Sequence, residues 1–93
     1  MGGGIESTSH KVGLFQHICT QYEVVTADGE VLLADKDSNT DLFHALPFSY
    51  GTLGFLTSVR VRIEPFKPFL KLTYRPTHSL GETCRVLQQQ TSR

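Results

Sequence analysis

Tryptophan is absent from this chain of 93 residues, methionine occurs once and cysteine twice. Two thiols, Cys19 and Cys84, are too few for a disulfide scaffold, and they form no C-x-x-C pair of the kind zinc sites use. A reducing compartment is the mild inference. Surplus charge is also missing: nine basic residues balance nine acidic ones. No global field therefore draws the chain to nucleic acid or to an anionic membrane, and no nucleic-acid partner is expected. No apolar run approaches the roughly 20 residues of a membrane helix. The first residues lack the basic-then-apolar order of a secretory signal, so no targeting or transmembrane segment is expected in the chain.

What remains is a small amount of ordinary globular material, with 39% hydrophobic residues. A chain of this size buries roughly two-thirds of its unfolded surface, which leaves a thin core. Residues 1–16, "MGGGIESTSHKVGLFQ", have no sustained period and read as loop. "YEVVTADGEVLLA" reads as a hairpin around Asp28-Gly29, a pair suited to a two-residue type I′ turn, with Val24, Val25, Val31, Leu32 and Leu33 on its arms. "DSNTDLFHAL" predicts a short helix capped by Ser38, Asn39 or Thr40. Asp41 lies in its first turn, Leu42, Ala45 and Leu46 are at helical spacing, and Pro47 stops it. From Phe55 to Glu64 the residues alternate, with Phe55, Thr57, Val59, Val61 and Ile63 on one face of a half-buried strand. "PFKPFL" marks a boundary, residues 69–75 predict another strand, and "HSLGETCRVLQQQ" predicts a helix. The class is α+β with an antiparallel sheet, and there is no internal repeat.

The chemistry-bearing residues form few constellations. "GGGIESTSH" offers bare backbone amides that can approach phosphate. It lacks the lysine of G-x-x-x-x-G-K-[ST], however, and no strand precedes it as in a dinucleotide fingerprint. A floppy start is the plainer reading. Ser7, Ser9, His10 and Asp28 could be written as a hydrolase triad, yet no G-x-S-x-G elbow supports it. His10, His17, His44 and His78 have no ligand spacing, so no metal is expected. In "YGTLGF", Gly51 and Gly54 bracket a turn into the long strand. They serve either a structural turn or close backbone approach to a flat or phosphorylated ligand.

Three stretches together resemble a known family: "GIES-x-SH-x-x-GLF" at Gly4 to Phe15, "LF-x-A-x-P" at Leu42 to Pro47 and "GTLGFL" at Gly51 to Leu56. They are similar to the delta(24)-sterol reductases, within the vanillyl-alcohol-oxidase and p-cresol-methylhydroxylase superfamily of flavoproteins. The likeness covers about residues 2–75. His44 stands where that family usually has tyrosine, and Phe48 where it has tryptophan. The resemblance implies that residues 1–65 are the C-terminal part of a p-cresol-methylhydroxylase-type FAD-binding domain. Residues 66–93 would begin the following substrate or cap domain.

The same resemblance implies non-covalent FAD, contacted by Gly2, Gly3, Gly4, Ile5, Glu6 and Ser7 over its pyrophosphate and ribityl region, and by Gly51, Thr52, Gly54 and Phe55. It implies NADPH as electron donor, a sterol whose side-chain double bond is reduced, and an endoplasmic-reticulum membrane location for a longer parent protein. On this reading the chain is a truncated piece, inactive alone, and no residue is assigned as catalytic. Two alternatives stand beside it. One is an FAD-dependent oxidase or dehydrogenase of a hydroxy acid, lactone or alcohol. The other is a non-catalytic piece acting by protein interaction, with self-association through exposed strand edges left open.

Overall fold

The computed structural model describes residues 4–6 and 8–92. The chain divides into two compact units, Met1–Ile63 and Glu64–Arg93. In the first unit two single-turn helices, α1 (Ser9–Val12) and α2 (Phe15–Ile18), precede the strands β1 (Cys19–Val25) and β2 (Val31–Asp35). The short helix α3 (Thr40–Ala45) and the strand β3 (Phe55–Val61) follow. The strands make one antiparallel three-stranded sheet in the order β2-β1-β3, so the class is α+β as expected.

Where a loop is expected over residues 1–16, α1 and the start of α2 form instead. Gly13 joins them with φ +78°, and the His17 ring folds back over the place where a Cβ would sit. That ring accepts a hydrogen bond from Leu14 N–H at its Nδ1 (2.9 Å), giving the start of α2 a partner that its backbone lacks.

The hairpin forms where expected, but its turn is not type I′. Gly29 N–H donates to Thr26 O (3.0 Å) and Thr26 N–H to Glu30 O (2.9 Å), so the loop holds Ala27, Asp28 and Gly29. Gly29 has φ +81°, whereas Asp28 is not at positive φ. This is the three-residue connection, a turn closed by a left-handed glycine, and it spares Asp28 the strain a type I′ turn would impose.

Buried residues are Cys19, Tyr22, Val24, Ala34 and Leu46, with Leu42, Phe43, Leu56, Val59 and Val61 packed against them. Two register shifts select this set. Cys19 pairs with Val61 but Gln21 with Arg60, so the extra residue Thr20 lets Cys19 point inward alongside Tyr22 and Val24. Ser58 pairs with Glu23 but Leu56 with Val24, so Thr57 is extra on β3 and its Oγ1 donates to Glu23 Oε1 (2.6 Å). That bulge reverses the alternation beyond it. Leu56 turns toward the core and Phe55 outward, at 74% exposure, the opposite of the uninterrupted pattern.

The α3 helix also departs from its expected face. Asn39 occupies the N-cap position at φ +48° but makes no side-chain cap; its Nδ2 donates instead to Leu33 O (2.8 Å), tying the helix to β2. Ala45 is exposed, and Phe43 takes its place on the sheet, 5.1 Å between ring centroids from Tyr22.

In the second unit the strand expected at 69–75 does not form: these residues have neither helical nor strand structure and join no ladder. The expected final helix is present as α4 (Leu80–Thr91). Ser79 Oγ accepts from Glu82 N–H (3.3 Å) while Glu82 Oε2 accepts from His78 N–H (3.0 Å), a variant of the capping box in which the glutamate reaches one residue beyond the N-cap.

Candidate functional site

The segment from Pro47 to Gly54 is the most conformationally constrained part of the first unit. Phe48 (φ +62°), Tyr50 (φ +54°) and Gly51 (φ +77°) all adopt left-handed backbone, a conformation bulky side chains rarely take. Hydrogen bonds from Ser49 N–H to Leu46 O (3.1 Å) and from Thr52 N–H to Ser49 O (3.0 Å) hold it, and Thr52 Oγ1 adds a 2.7 Å bond to Ser49 O. Pro47 ends α3, and two turns then return the backbone to the sheet at Phe55.

This segment borders a concavity of about 360 Å³ lined by Tyr22, Leu46, Ser49, Gly51, Gly54, Phe55 and Leu56. Its two glycines do different work. At Gly54 (φ +150°) an added Cβ would meet Val24 Cγ1 at 2.6 Å and Val25 O at 2.8 Å. The close approach there is of the turn to β1. At Gly51 an added Cβ would meet nothing within 4 Å, and the Gly51 N–H has no intramolecular partner among the described residues. Gly51 thus presents bare backbone and a free donor to whatever enters the concavity, while exposed Phe55 offers a flat apolar surface. Among the described residues, no charged side group lines the space. These residues suit a flat, neutral ligand better than a phosphate.

The first loop is placed elsewhere. Gly4 and Glu6 border a separate hollow of about 110 Å³ with α1 and α2, and share none of the lining of the Gly51 concavity. Gly4 (φ +55°) is pressed on Phe15, whose Cβ would lie 2.6 Å from an added one. Glu6 N–H already donates to Ser9 Oγ (2.8 Å) and Glu6 O accepts from Ser9 N–H (2.9 Å), so this amide is not free for a phosphate. Ile5 is exposed, and Gly2, Gly3 and Ser7 lie outside the described residues. Thr52, expected against a ligand, spends its hydroxyl and its N–H on the turn itself. No cluster of three or more metal-ligating side groups occurs among the described residues.

Sequence reasoning missed Tyr22. It is 1% exposed, and its buried hydroxyl lies against the Cys19 side chain. Burial, and secondarily the neighbouring Cys19 thiol, push its pKa well above the ordinary tyrosine value, so it stays protonated as a donor. The Cys19 S–H is already committed to Phe15 O (3.3 Å). In the sequence Tyr22 reads as one more hydrophobic strand residue; only packing reveals its buried hydroxyl.

Comparison with known proteins bears out the resemblance seen in the sequence. The mouse delta(24)-sterol reductase is 48% identical over all 93 residues, and the human delta(24)-sterol reductase 50% over the same span. Along its whole length this chain is similar to delta(24)-sterol reductases. A worm homologue from Caenorhabditis elegans is 44% identical over 99% of the chain. The pea reductase is 47% identical over 81% of the chain. An FAD-linked oxidoreductase of Gibberella zeae matches 69% of the chain at 42% identity. The chain spans 18% of the length of the mammalian reductases it matches. No family model matches it.

Proposed function

We propose that this chain forms part of the flavin-binding wall of an FAD-dependent oxidoreductase of the delta(24)-sterol reductase kind. The observation that carries this reading is the Gly51 concavity: a glycine with open space at its Cβ, a free N–H and an apolar aromatic neighbour. The "GTLGFL" stretch that forms it is among the segments resembling the reductases. Residues 1–65 belong, on this reading, to a p-cresol-methylhydroxylase-type FAD subdomain, and 66–93 open the substrate or cap domain. FAD held there would supply a hydride drawn from NADPH, and with that hydride and a proton the longer protein, at the endoplasmic-reticulum membrane, would saturate a carbon–carbon double bond in the tail of a sterol. The part played by residues 1–65 would be to hold the ring system: Gly51 N–H would be free to donate to it, and Phe55 and Tyr22 would wall the space against water.

Titration of the purified protein with FAD, following flavin fluorescence and thermal melting together, tests the proposal. Saturable quenching with a rise in melting temperature is expected, because a ligand that binds only the folded state stabilises it. Gly51→Ala should weaken that binding about tenfold, ~1.4 kcal/mol, with a smaller effect on melting than Gly54→Ala. A protein that melts cooperatively yet binds no FAD would end the flavin reading. It would favour the interaction reading, to which the exposed apolar residues Phe66, Phe69, Leu70 and Leu72 already lend weight.

A further inference from the structure

The joint between α1 and α2 is held by one ring nitrogen. His17 Nδ1 accepts from Leu14 N–H (2.9 Å), in the place a Glu or Gln takes in a capping box. The ring can sit there because residue 13 is glycine: an added Cβ would lie 2.9 Å from His17 Cγ and collide with Nδ1. Different bonds fix the other end of α2. Arg62 Nη2 donates to His17 O (2.8 Å) and Arg62 N–H to Ile18 O (2.9 Å), which ties that end to the residue following β3. The start of α2 thus has the His17 ring as its cap. The first loop rests on that same start, with Gly4 pressed on Phe15.

Nδ1 accepts only while it carries no proton, so this bond requires a neutral imidazole with its hydrogen on Nε2. Histidine is the side chain that ordinarily changes charge between about pH 5 and 8, and His17 is exposed to solvent. Once Nδ1 is protonated, it and Leu14 N–H are two donors facing each other, and the ring must move. Turning it over gives no relief, because both nitrogens of an imidazolium are donors. The surrounding titratable and charged groups do not hold the charged ring in place. Cys19 and Tyr22 of β1 and His44 of α3 line the concavity that His17 borders, α1 carries His10 and Lys11, and Glu6 lies in the loop before α1. Among the described residues no carboxylate lines that concavity, and Arg62, bonded to His17 O, has the same sign as an imidazolium. We propose that His17 is an acid-released latch. Protonation swings its ring off Gly13, frees Leu14 N–H and loosens the α1–α2 joint together with the Gly4–Phe15 contact. The latch is independent of the flavin reading.

The test is NMR of the 93-residue protein, without ligand, titrated from about pH 8 to 5. At the alkaline end the ring nitrogen shifts of His17 should show the Nε2–H tautomer. As the ring takes up its proton, the Gly13 and Leu14 amide signals should move in step with it, while those of β1 stay in place. Exchange of Leu14 N–H, corrected for its intrinsic pH dependence, should quicken about fivefold, the scale of one lost hydrogen bond. His17→Gln supplies an acceptor that cannot charge, so it should keep the Leu14 bond and remove the pH step. His17→Ala should show the released state at both ends of the titration, and His10→Gln and His44→Gln should leave the step intact. An Nδ1–H tautomer at the alkaline end, or a Leu14 amide indifferent to the titration of His17, would overturn the latch. So would a step that survives in His17→Gln, or one that disappears in His10→Gln or His44→Gln.

Discussion

A Cβ at residue 54 has nowhere to go, with Val24 Cγ1 at 2.6 Å and Val25 O at 2.8 Å, whereas one at residue 51 projects into empty space. Gly54→Ala should therefore destabilise the protein by about 1–3 kcal/mol, the usual cost of forcing extra volume into a packed site. Gly51→Ala meets only the left-handed backbone penalty of about 1–2 kcal/mol. Urea unfolding of the two variants checks the order; a larger loss at residue 51 would contradict the geometry. Asp35 is a second residue whose environment makes a prediction. Its Oδ1 accepts from Asp37 N–H (2.9 Å) and Ser38 N–H (2.8 Å), and its Oδ2 from Gln21 Nε2 (2.9 Å). These bonds, that from Asp37 foremost, favour the carboxylate and lower its pKa in the folded protein. A group depressed on folding stabilises the protein above its unfolded value near ~3.9, and the benefit is lost as pH falls through the lowered folded value. Asp35→Asn should thus flatten the acid limb of the stability profile, read as urea midpoints at successive pH values.

The elements differ in what holds them. β1 lies between two partners and carries most of the buried residues, so its amides should be the slowest to exchange in the protein. α4 has no buried residue, and a helix of 12 residues is marginal in water without packing. Its local cap matters correspondingly more. Ser79→Ala should cost about 1 kcal/mol of helix stability, seen as reduced helicity from α-carbon chemical shifts across Leu80–Thr91 with the β1 signals unmoved. If helicity were unchanged, packing rather than capping would be holding α4.

At the scale of the whole molecule, buried residues are few and large apolar groups stand in water. Phe66, Phe69, Leu70, Leu72 and Tyr74 are exposed, with Phe69 at 88% and Leu70 at 93%. Leu70, Leu72 and Tyr74 alternate with Lys71 and Thr73 as in a strand, and the backbone there has no ladder to join. Exposed unpaired strand material is a template for association. Sedimentation should show concentration-dependent self-association, and Leu70→Lys with Leu72→Lys together should reduce it without changing the melting of the first unit. A strictly monomeric protein at all concentrations would show that exposure alone is insufficient here.

Local patterns determined by themselves the α+β class, the hairpin around Asp28-Gly29, the short helix in "DSNTDLFHAL" and the final helix in "HSLGETCRVLQQQ", because turn chemistry, capping and periodicity act between residues a few positions apart. The likeness to delta(24)-sterol reductases was equally legible, in "GIES-x-SH-x-x-GLF" and "GTLGFL". Tertiary structure alone decided which face of each strand is buried: the extra residues Thr20 and Thr57 reverse the alternation, and a bulge is a property of two paired strands, not of one. It also divided Gly51 from Gly54, since a glycine's need is set by what lies beside its missing Cβ. Residues 69–75 show the same dependence from the other side. They have a strand's pattern, but a strand exists only where another offers its hydrogen bonds. And the burial of the Tyr22 hydroxyl beside the Cys19 thiol is a product of packing alone.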